Sequence, residues 1–553
     1  MRLRTARLLA LVPLLLSSVA SADWPAQGRR VLVATDSFNL TDGAWIFDLP
    51  SGDLVVRAVG HGGLALGYDA QRITPAGEIA PGWPVEGVSF GTIGMPTRPS
   101  DVGFAVDPNE FVWGEAGNGP TAVYAVDPTG VLGPSSPLSL AVFAPGPRGI
   151  YAYISNHVQR FIEPGVAAPG WPVGGVVTVG PMLDNLNALA DGSGGVVVMA
   201  AATTLGPRTT RVDSNAVKHG GATLSDDVDD QFAPYEDLNM LPLPALVPSD
   251  ASHYFAVWSG PPNQTVQRVK VQRAGYDNAL APGWPTAGVV AVAPATIFHV
   301  TPLPDHTGGL YLVWYQDDGL PRATHVRADG TFVPGTDEHG VVLFPPGPLR
   351  EPQEGFDGGH LPYMVADATP DGRLLFAWDD VASGNGIRVQ WLLPDLTADP
   401  SEPVEGRLIL PNPQKTSVRA VHAAPDGGAY VAWESAITFP DQPYDNYGEI
   451  WMTRILPSAL VGVRPHASAL ALSAARPNPA RGSATLDVTL PDDSPARVEL
   501  LDVAGRVVRS QAVQGAGVHA VSFDELGVFP PGLYFARVSL PRGSATSRVV
   551  VTR

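Results

Sequence analysis

The sequence predicts an all-β protein, in which a β-propeller of seven or eight blades precedes a small immunoglobulin-like β-sandwich. Three observations support this prediction. Two short phrases recur between residues 60 and 460, each with strand formers and turn formers in fixed places. Glycine (60) and proline (56) are abundant while charged residues make up only 16%, which is typical of many short strands joined by turns. The last roughly eighty residues alternate apolar and polar positions.

The chain begins with a predicted export signal. Arg2, Arg4 and Arg7 precede an apolar run over residues 8–16, and the small residues Ala20-Ser21-Ala22 follow. This order is that of a secretory signal peptide, so we expect residues 1–22 to be removed and the mature chain to begin at Asp23. The apolar run is too short to span a membrane comfortably. No later run of about 18 apolar residues occurs, so no transmembrane segment is expected after cleavage.

Charge and composition exclude several classes of function. The formal net charge is −19, and an acidic surface repels phosphate backbones, so nucleic acid is not an expected partner. The chain has no cysteine, which excludes disulfides, thiol catalysis and cysteine-based zinc sites. A length of 553 residues predicts more than one domain, and a hydrophobic content of 44% suffices for a large core.

The first recurring phrase is Ala-Pro-Gly-Trp-Pro, and an arginine stands eleven positions before its tryptophan in all three copies. The tryptophans are Trp83, Trp171 and Trp284, and the arginines are Arg72, Arg160 and Arg273. Pro-Gly favours a turn, and the second proline holds the tryptophan extended. The phrase is therefore predicted to be a turn whose indole ring covers apolar surface that one thin sheet cannot bury. A decayed fourth copy is expected from Arg327, two residues shorter and without tryptophan.

The second recurring phrase is a five-residue apolar run that ends in tryptophan. Its copies end at Trp258, Trp314, Trp378 and Trp433, and weaker relatives occur upstream. Such runs, bounded by turn residues, are predicted to be strands buried on both faces. Sheets of this kind are covered only by copies of themselves, so we expect a ring of blades over residues 23–460. The early strand at residues 29–36 is expected to pair with the last blade. Another kind of solenoid is the alternative to the propeller.

After a connector over residues 461–475, six short alternating segments follow in residues 476–553. They are ATLDVTL, ARVELLDV, RVVRSQAV, HAVSF, LYFARVSL and SRVVVTR. Turns every 8–12 positions over this length predict an immunoglobulin-like sandwich.

Three groups of residues in this tail carry a family resemblance: Pro477-Asn478-Pro479, residues 501–506 with Asp502, Gly505 and Arg506, and residues 531–534 with Gly532 and Tyr534. The tail resembles the type A C-terminal sorting domain of type IX secretion cargo, and similarly the FlgD-type Ig-like module. The resemblance implies export to the cell surface or medium, with the outer-membrane secretion machinery as partner. A structural module that only ends the chain is the alternative.

The propeller segment resembles large exported bacterial propellers, in which a strand ending in tryptophan is followed by an acid. Here Asp317, Asp379 and Glu434 follow within three residues of their tryptophans. We expect these acids to cap strand-end amides and face solvent; a ring of acids around a channel is the alternative.

No motif nominates a catalytic residue, and no cofactor is expected apart from calcium. The calcium candidates are Asp226, Asp227, Asp229 and Asp230, whose clustered hard oxygens suit this ion. The cluster lacks a regular Asp-x-Asp-x-Asp-Gly ladder, so a solvated acidic loop is the favoured interpretation. His306, His325 and His339 are expected to be surface loop histidines.

The leading functional hypothesis is a non-catalytic protein of the cell surface that binds or scaffolds. Its acidic and aromatic loop residues, among them Tyr235, Tyr315, Tyr444 and Tyr447, are compatible with glycans, peptides or cations. One alternative is an extracellular glycosidase or polysaccharide lyase that uses paired carboxylates at the propeller centre. The other is a purely structural envelope protein.

Overall fold

A computed structural model of the chain divides into two compact units, Met1–Ile455 and Leu456–Arg553. It describes residues 24–25, 28–33, 39–62, 65–94, 103–116, 122–137, 142–154, 156–178, 186–202, 206–227, 245–260, 267–316, 318, 320–343, 364–380, 386–410, 416–438, 446–457, 471–472, 475–476, 478–490, 496–513, 517–524, 526–540 and 543–552. The predicted signal peptide and most of the predicted connector lie outside these residues.

The first unit is a β-propeller, and its described residues form eight antiparallel sheets. Blade 1 contains β2 (Asn39–Asp48), β3 (Leu54–Gly62), β4 (Ala65–Ile73) and β5 (Val88–Gly94); blade 2 contains β6 (Phe104–Val106), β7 (Val112–Ala116), β8 (Ala122–Val126) and β9 (Ser136–Pro137). Blade 3 contains β10 (Val142–Pro145), β11 (Ile150–Ile154), β12 (His157–Glu163), β13 (Val166–Ala167) and β14 (Val176–Val177); blade 4 contains β15 (Leu186–Ala190), β16 (Val196–Ala202), β17 (Gly206–Val212) and β18 (Lys218–His219).

Blades 5 to 8 repeat the same order. Blade 5 contains β19 (Ala245–Pro248), β20 (His253–Gly260), β21 (Gln267–Gly275) and β22 (Val289–Ala295); blade 6 contains β23 (Ile297–Pro304), β24 (Leu310–Gln316), β25 (Pro321–Val326) and β26 (Val341–Val342). Blade 7 contains β27 (Met364–Ala368), β28 (Leu374–Asp380), β29 (Gly386–Leu392) and β30 (Arg407–Leu410); blade 8 contains β31 (Thr416–Ala423), β32 (Ala429–Thr438), β33 (Asn446–Ile455) and β1 (Arg29–Val33).

The ring is closed by the two ends of this unit. β1 is the outer strand of blade 8 and pairs with β33, so that Arg30 lies opposite Trp451 and Leu32 opposite Ile450. The first strand of each blade from β6 to β31 contacts the first strand of the next blade, and β31 in turn contacts β2. Blade 1 contacts blade 2 through β5 and β7. Each sheet is therefore covered on both faces by its neighbours.

The two ends of the ring differ in the regularity of their loops. At one end, which we call the turn end, four or five residues join the first and second strands of every blade. At the opposite connection end, the segments between successive blades run from one residue (296) to 25 residues (220–244). The short turns are uniform because an aspartate organises many of them. Asp305 is an example, since its Oδ1 accepts the N–H groups of Thr307 and Gly309, each at 2.7 Å.

The strand tryptophans form the interior of the blades. Trp258, Trp314, Trp378 and Trp433 are only 0–3% exposed. Each packs its six-membered ring against a glycine of left-handed φ, at positions Gly288, Gly340, Gly406 and Gly28. A Cβ at Gly288 would lie 2.8 Å from Cη2 of Trp258, so only glycine fits there. In blade 8 this glycine comes from the opposite end of the unit, beside β1.

The second unit is an immunoglobulin-like sandwich of two antiparallel sheets. One sheet has the order β34 (Ala471–Leu472), β35 (Ala484–Leu490), β38 (Gly517–Phe523); the other has the order β37 (Val507–Val513), β36 (Ala496–Leu501), β39 (Gly532–Leu540), β40 (Gly543–Val551). A short 3-10 helix, Leu526–Val528, precedes β39. Leu486, Val498, Phe523 and Val549 are among the side chains buried between the sheets. The six segments that alternate in sequence coincide with β35–β40.

Candidate functional site

The three tryptophans of the first phrase occupy one repeated place, in the loop that leads to the last strand of blades 1, 3 and 5. The indole Nε1 of Trp83 donates to Pro128 O in blade 2 at 3.2 Å, that of Trp171 to Ser214 O in blade 4 at 3.1 Å, and that of Trp284 to Ala328 O in blade 6 at 2.9 Å. The three acceptors stand at the same position, two residues after the third strand. Each tryptophan thus joins its own blade to the next.

A further copy of the phrase begins the described chain, at Trp24. Its indole Nε1 donates to Pro75 O of blade 1 at 3.2 Å, and Gly28 N donates to Pro25 O at 2.8 Å, as Gly288 N does to Pro285 O at 3.0 Å. Sequence reasoning missed this copy, although all four copies have Trp-Pro with a glycine three positions after the proline. It lies in blade 8, which is built from both ends of the unit. Trp24 therefore joins blade 8 to blade 1.

The expected decayed copy exists in blade 6, but its predicted alignment on Arg327 is wrong. Val333 N donates to His325 O at 2.9 Å, just as Ala80 N donates to Arg72 O at 2.9 Å. His325 therefore stands at the arginine position, and the copy has full length with Thr336 at the tryptophan position.

Blade 7 holds a copy that the sequence analysis did not detect. Asp399 N donates to Trp391 O at 3.1 Å and Gly406 N to Pro403 O at 2.9 Å. Glu402 thus occupies the tryptophan position in this blade, and it binds Arg407 through Nη2 at 2.7 Å.

His325 is not the surface histidine that was expected. It is only 4% exposed, Nε2 lies 2.8 Å from Asp305 Oδ2, and Nδ1 lies 2.6 Å from Pro394 O of blade 7. Burial raises the pKa of Asp305, but the His325 contact and the turn N–H groups outweigh it and hold that pKa at about 2. Pro394 occupies the same place in blade 7 as the carbonyls that the tryptophans bind, so His325 joins blade 6 to blade 7.

Two of the three acids that follow strand tryptophans are described, and both are buried rather than solvent-facing. Asp379 accepts Ser417 Oγ at 2.9 Å and Val418 N at 2.8 Å, both in the first strand of blade 8. Glu434 accepts Arg419 Nε at 2.9 Å within blade 8. The expected capping of a strand amide is therefore seen at Asp379. Asp317 lies outside the described residues.

A histidine bridges two carboxylates across three inner strands at the turn end. His422 of β31 lies 3.0 Å through Nε2 from Asp48 of β2, and 3.0 Å through Nδ1 from Asp367 of β27. Burial lowers the pKa of His422, but the two carboxylates overcome this effect and raise that pKa to about 9. The imidazolium thus joins blades 7, 8 and 1 at neutral pH.

The calcium prediction concerns residues at the connection end. Asp226 is exposed, whereas Asp227 Oδ2 accepts Lys270 Nζ at 2.7 Å and Arg268 Nη2 at 3.1 Å, so its charge is already balanced. Asp229 and Asp230 lie outside the described residues. Within the described part of the chain no group of three or more histidine, aspartate or glutamate side chains could hold a metal.

The first sorting-motif group fastens the end of β40. The Asn478 side chain donates through Nδ2 to Arg548 O at 3.0 Å and accepts Val550 N through Oδ1 at 2.8 Å. Beyond Pro479, Ala480 N donates to Val550 O at 2.7 Å. The amide therefore substitutes for a strand partner along the edge of β40. Pro477 lies outside the described residues.

The second group forms the hairpin turn between β36 and β37. Asp502 Oδ1 accepts Ala504 N at 2.9 Å and Arg506 N at 3.0 Å, and Oδ2 accepts Arg506 Nε at 2.8 Å. These bonds, with the backbone bond from Arg506 N first among them, lower the pKa of Asp502. Gly505 has φ +78°, a conformation that glycine adopts without strain. Aspartate, glycine and arginine are thus the residues that build this turn.

The third group starts β39, where Gly532 lies opposite Val551. Tyr534 is only 5% exposed, and its hydroxyl donates to Pro530 O at 2.9 Å. The ring is therefore an anchor for the entry into β39.

The three motif groups, distant in sequence, meet at one end of the sandwich. Leu501, just before the hairpin turn, pairs with Phe535, and Leu533 pairs with Val550, which Asn478 holds. The hairpin turn, the start of β39 and the end of β40 are therefore neighbours across one sheet. We call this region the motif end of the tail.

The tail also matches a known family. Residues 475–552 match the secretion system C-terminal sorting domain. The tail is thus a sorting domain of the type IX secretion system, and it directs the chain to the cell surface or beyond. In the described residues no helix is long and apolar enough to cross a membrane.

Comparison with solved structures finds other proteins at low identity. A protein of unknown function from Dyadobacter fermentans is 11% identical, with a TM-score of 0.34 over 77% of this chain and 98% of that one. The BP39L lectin from Burkholderia pseudomallei is 15% identical, with a TM-score of 0.34 over 66% of this chain and 96% of that one. PorZ, a surface component of the type-IX secretion system of Porphyromonas gingivalis, is 12% identical, with a TM-score of 0.20 over 92% of this chain and 91% of that one. A search of curated protein sequences gives no match.

Proposed function

We propose that the chain is a non-catalytic binding or scaffolding propeller of the cell surface, delivered there by its sorting domain. The observation that supports this role best is the use made of three buried ionisable groups of the propeller. Asp305, Asp379 and His422 each bind a group of a neighbouring strand or blade. A carboxylate held in this way stabilises the ring and is not available as an acid or nucleophile.

The binding surface belongs to the connection end. Turns of four or five residues at the turn end repeat in all blades, whereas the segments between blades vary from one to 25 residues. Variable loops on a rigid scaffold are where binding residues concentrate, because their sequence can change without loss of the core. The acidic residues around Asp226 belong to one such segment, which suits a cationic or hydroxyl-rich ligand. Calcium binding by Asp226, Asp227, Asp229 and Asp230 remains a proposal within this role.

Binding is tested with purified residues 23–553 on a glycan array and on intact cells of the producing bacterium, with and without calcium. We expect saturable binding to one ligand class. A matched variant replaces Asp229 and Asp230 by asparagine. A control variant replaces the exposed Asp329 at the turn end by asparagine. Loss of binding in the first variant alone supports the connection end as the binding surface.

Two results contradict the proposal. Release of reducing or unsaturated sugar products from a polysaccharide pool would identify a glycosidase or lyase instead. Absence of saturable binding, together with altered surface integrity after gene deletion, would identify a structural envelope protein.

A further inference from the structure

We propose that the motif end of the tail is the docking surface that the secretion machinery contacts, and that its partner is an apolar surface with an acidic rim. This inference deepens the delivery role and rests on it. It concerns which face of the sorting domain is used, and by what chemistry.

Exposed apolar side chains are concentrated at this end. In the described part of the tail, the large hydrophobic side chains that are exposed are Val503 (75%), Val528 (70%), Val507 (49%) and Leu533 (38%). Val503 lies in the hairpin turn, and Val507 begins β37 opposite Leu501. Val528 ends the short helix before β39, and Leu533 begins β39. All four therefore belong to the motif end, and a cluster of this kind marks an interaction site more often than single exposed residues do.

In the described residues, the rim of this cluster carries more exposed basic than acidic side chains. Arg476, Arg481 and Arg548 are exposed, and Arg506 is 81% exposed although it pairs with Asp502. The exposed acid at this end is Asp524, two residues before the short helix. Residues 476–553 contain nine arginines and seven acids, a net charge of +2, which leaves 26 basic and 47 acidic residues elsewhere, a net −21. The tail thus differs in charge from the rest of the chain, and its positive end is complementary to an acidic partner.

The motif residues themselves explain why this end is rigid enough to be recognised. Asn478 fastens β40, Asp502 closes the hairpin turn, and Tyr534 anchors the start of β39. Each of them holds backbone that carries an exposed valine, leucine or arginine. The motif therefore acts as support, and the side chains that touch the partner are its exposed neighbours.

The test uses the full chain in a bacterium with a type IX secretion system and measures the fraction that reaches the surface or medium. The variants are Val503→Asp with Val528→Asp, and separately Arg481→Glu with Arg548→Glu. The matched control is Ala512→Asp, which is exposed on β37 away from the motif end. Thermal unfolding of each purified chain verifies that the tail is folded. We expect at least a tenfold fall in export for both end variants, with periplasmic accumulation and unchanged unfolding, and normal export for the control.

Normal export of the end variants, together with retention of a chain that lacks residues 475–553, overturns the docking surface and leaves the delivery role standing. Normal export of the truncated chain overturns the delivery role itself. Two further results also overturn the inference by identifying another occupant. A sedimentation coefficient that changes in the end variants indicates a second copy of the chain. Loss of binding to phosphatidylglycerol vesicles with export unchanged indicates a membrane.

Discussion

The junction between blades 5 and 6 and the junction between blades 6 and 7 reach the same backbone position with different side chains. In the first, Trp284 Nε1 donates to Ala328 O at 2.9 Å from a loop. In the second, Thr336 stands at the tryptophan position, and His325 of β25 lies 2.6 Å from Pro394 O. These two junctions therefore share a donor to the same carbonyl position, supplied by two different side chains.

The two donors differ in what else they supply. An indole ring adds a large buried apolar area to its single hydrogen bond, whereas His325 depends on the Asp305 carboxylate to orient its ring. Junctions made by tryptophan are therefore expected to depend on apolar burial, and the His325 junction to depend on the carboxylate that orients its ring.

The largest effect on stability is expected at a tryptophan junction. Trp83 is only 5% exposed, so Trp83→Ala removes both the indole burial and the bond to Pro128. We expect the free energy of unfolding to fall by about 3–5 kcal/mol, measured by urea denaturation of the purified chain. Val85→Ala, at a position 59% exposed in the same loop, is the control and is expected to change it by less than about 0.5 kcal/mol. Equal effects of the two variants would contradict the junction role.

Strands and domains could be predicted from the sequence, whereas several junctions between blades could not. The strand phrases predicted the propeller with seven or eight blades because a strand buried on both faces needs a continuous apolar run, and this run does not depend on the loops beside it. The tail strands were predicted equally well, since alternation reports burial of one face. The three motif groups of the tail also predicted the sorting domain, which the family match confirms.

The sequence did not predict the junctions in which another residue replaces tryptophan or arginine, or the junction formed by the two ends of the unit. Trp24 was missed because its blade partner, Tyr430, lies more than four hundred positions away, with ring centroids 6.0 Å apart. The copy in blade 6 was aligned on Arg327 instead of His325, because the other detected copies have arginine at this position. Contacts between the two ends of a ring, and substitutions that keep a bond while changing a side chain, leave no local pattern.

A second prediction tests the pH dependence at the closing junction. The pKa of His422 is raised to about 9 from an ordinary value of 6.5, so its contribution is complete below about pH 6.5 and is lost as the pH rises through about 9. The full contribution corresponds to roughly 3 kcal/mol. We expect His422→Gln to be destabilised relative to the natural chain at pH 6, and this difference to shrink steadily by pH 10. Urea unfolding at five pH values measures it, and a difference that stays constant would disprove the ionic bridge.

A third prediction concerns a position where blade 1 differs from blades 5, 6 and 7. Asp69 stands where those blades have Lys270, Arg322 and Arg388, and burial raises its pKa to about 6, only partly offset by a bond from Ser89. A raised carboxyl pKa means that stability is lost as the pH rises through 6. Asp69→Asn should therefore stabilise the chain by roughly 2–3 kcal/mol at pH 8 and by little at pH 4.

Asp329→Asn is the control for this substitution, since Asp329 is exposed at the turn end of blade 6. Because hydrogen bonds with Thr331 lower the pKa of Asp329, this variant should not gain stability at pH 8. A gain of similar size in both variants would mean that net charge, rather than burial, is the cause.

The smallest effect separates two tryptophan junctions from each other. Pro128 O accepts a second donor, Arg72 Nη1 at 3.3 Å, whereas Arg273 binds Ser249 and Asp250 instead of Ala328. Trp83→Phe should therefore leave Pro128 O with one donor and lower the free energy of unfolding by about 0.5 kcal/mol. Trp284→Phe leaves Ala328 O without this donor and should lower it by about 1–1.5 kcal/mol. The two tryptophans are 5% and 7% exposed, so the loss of ring area is nearly matched and the difference reports the hydrogen bond. Arg72 also binds Asp53 and Glu110, so the comparison is made within an Arg72→Lys background. There, Trp83→Phe should lower the free energy of unfolding by as much as Trp284→Phe does in the natural chain; if it does not, the shared carbonyl is not what protects this junction.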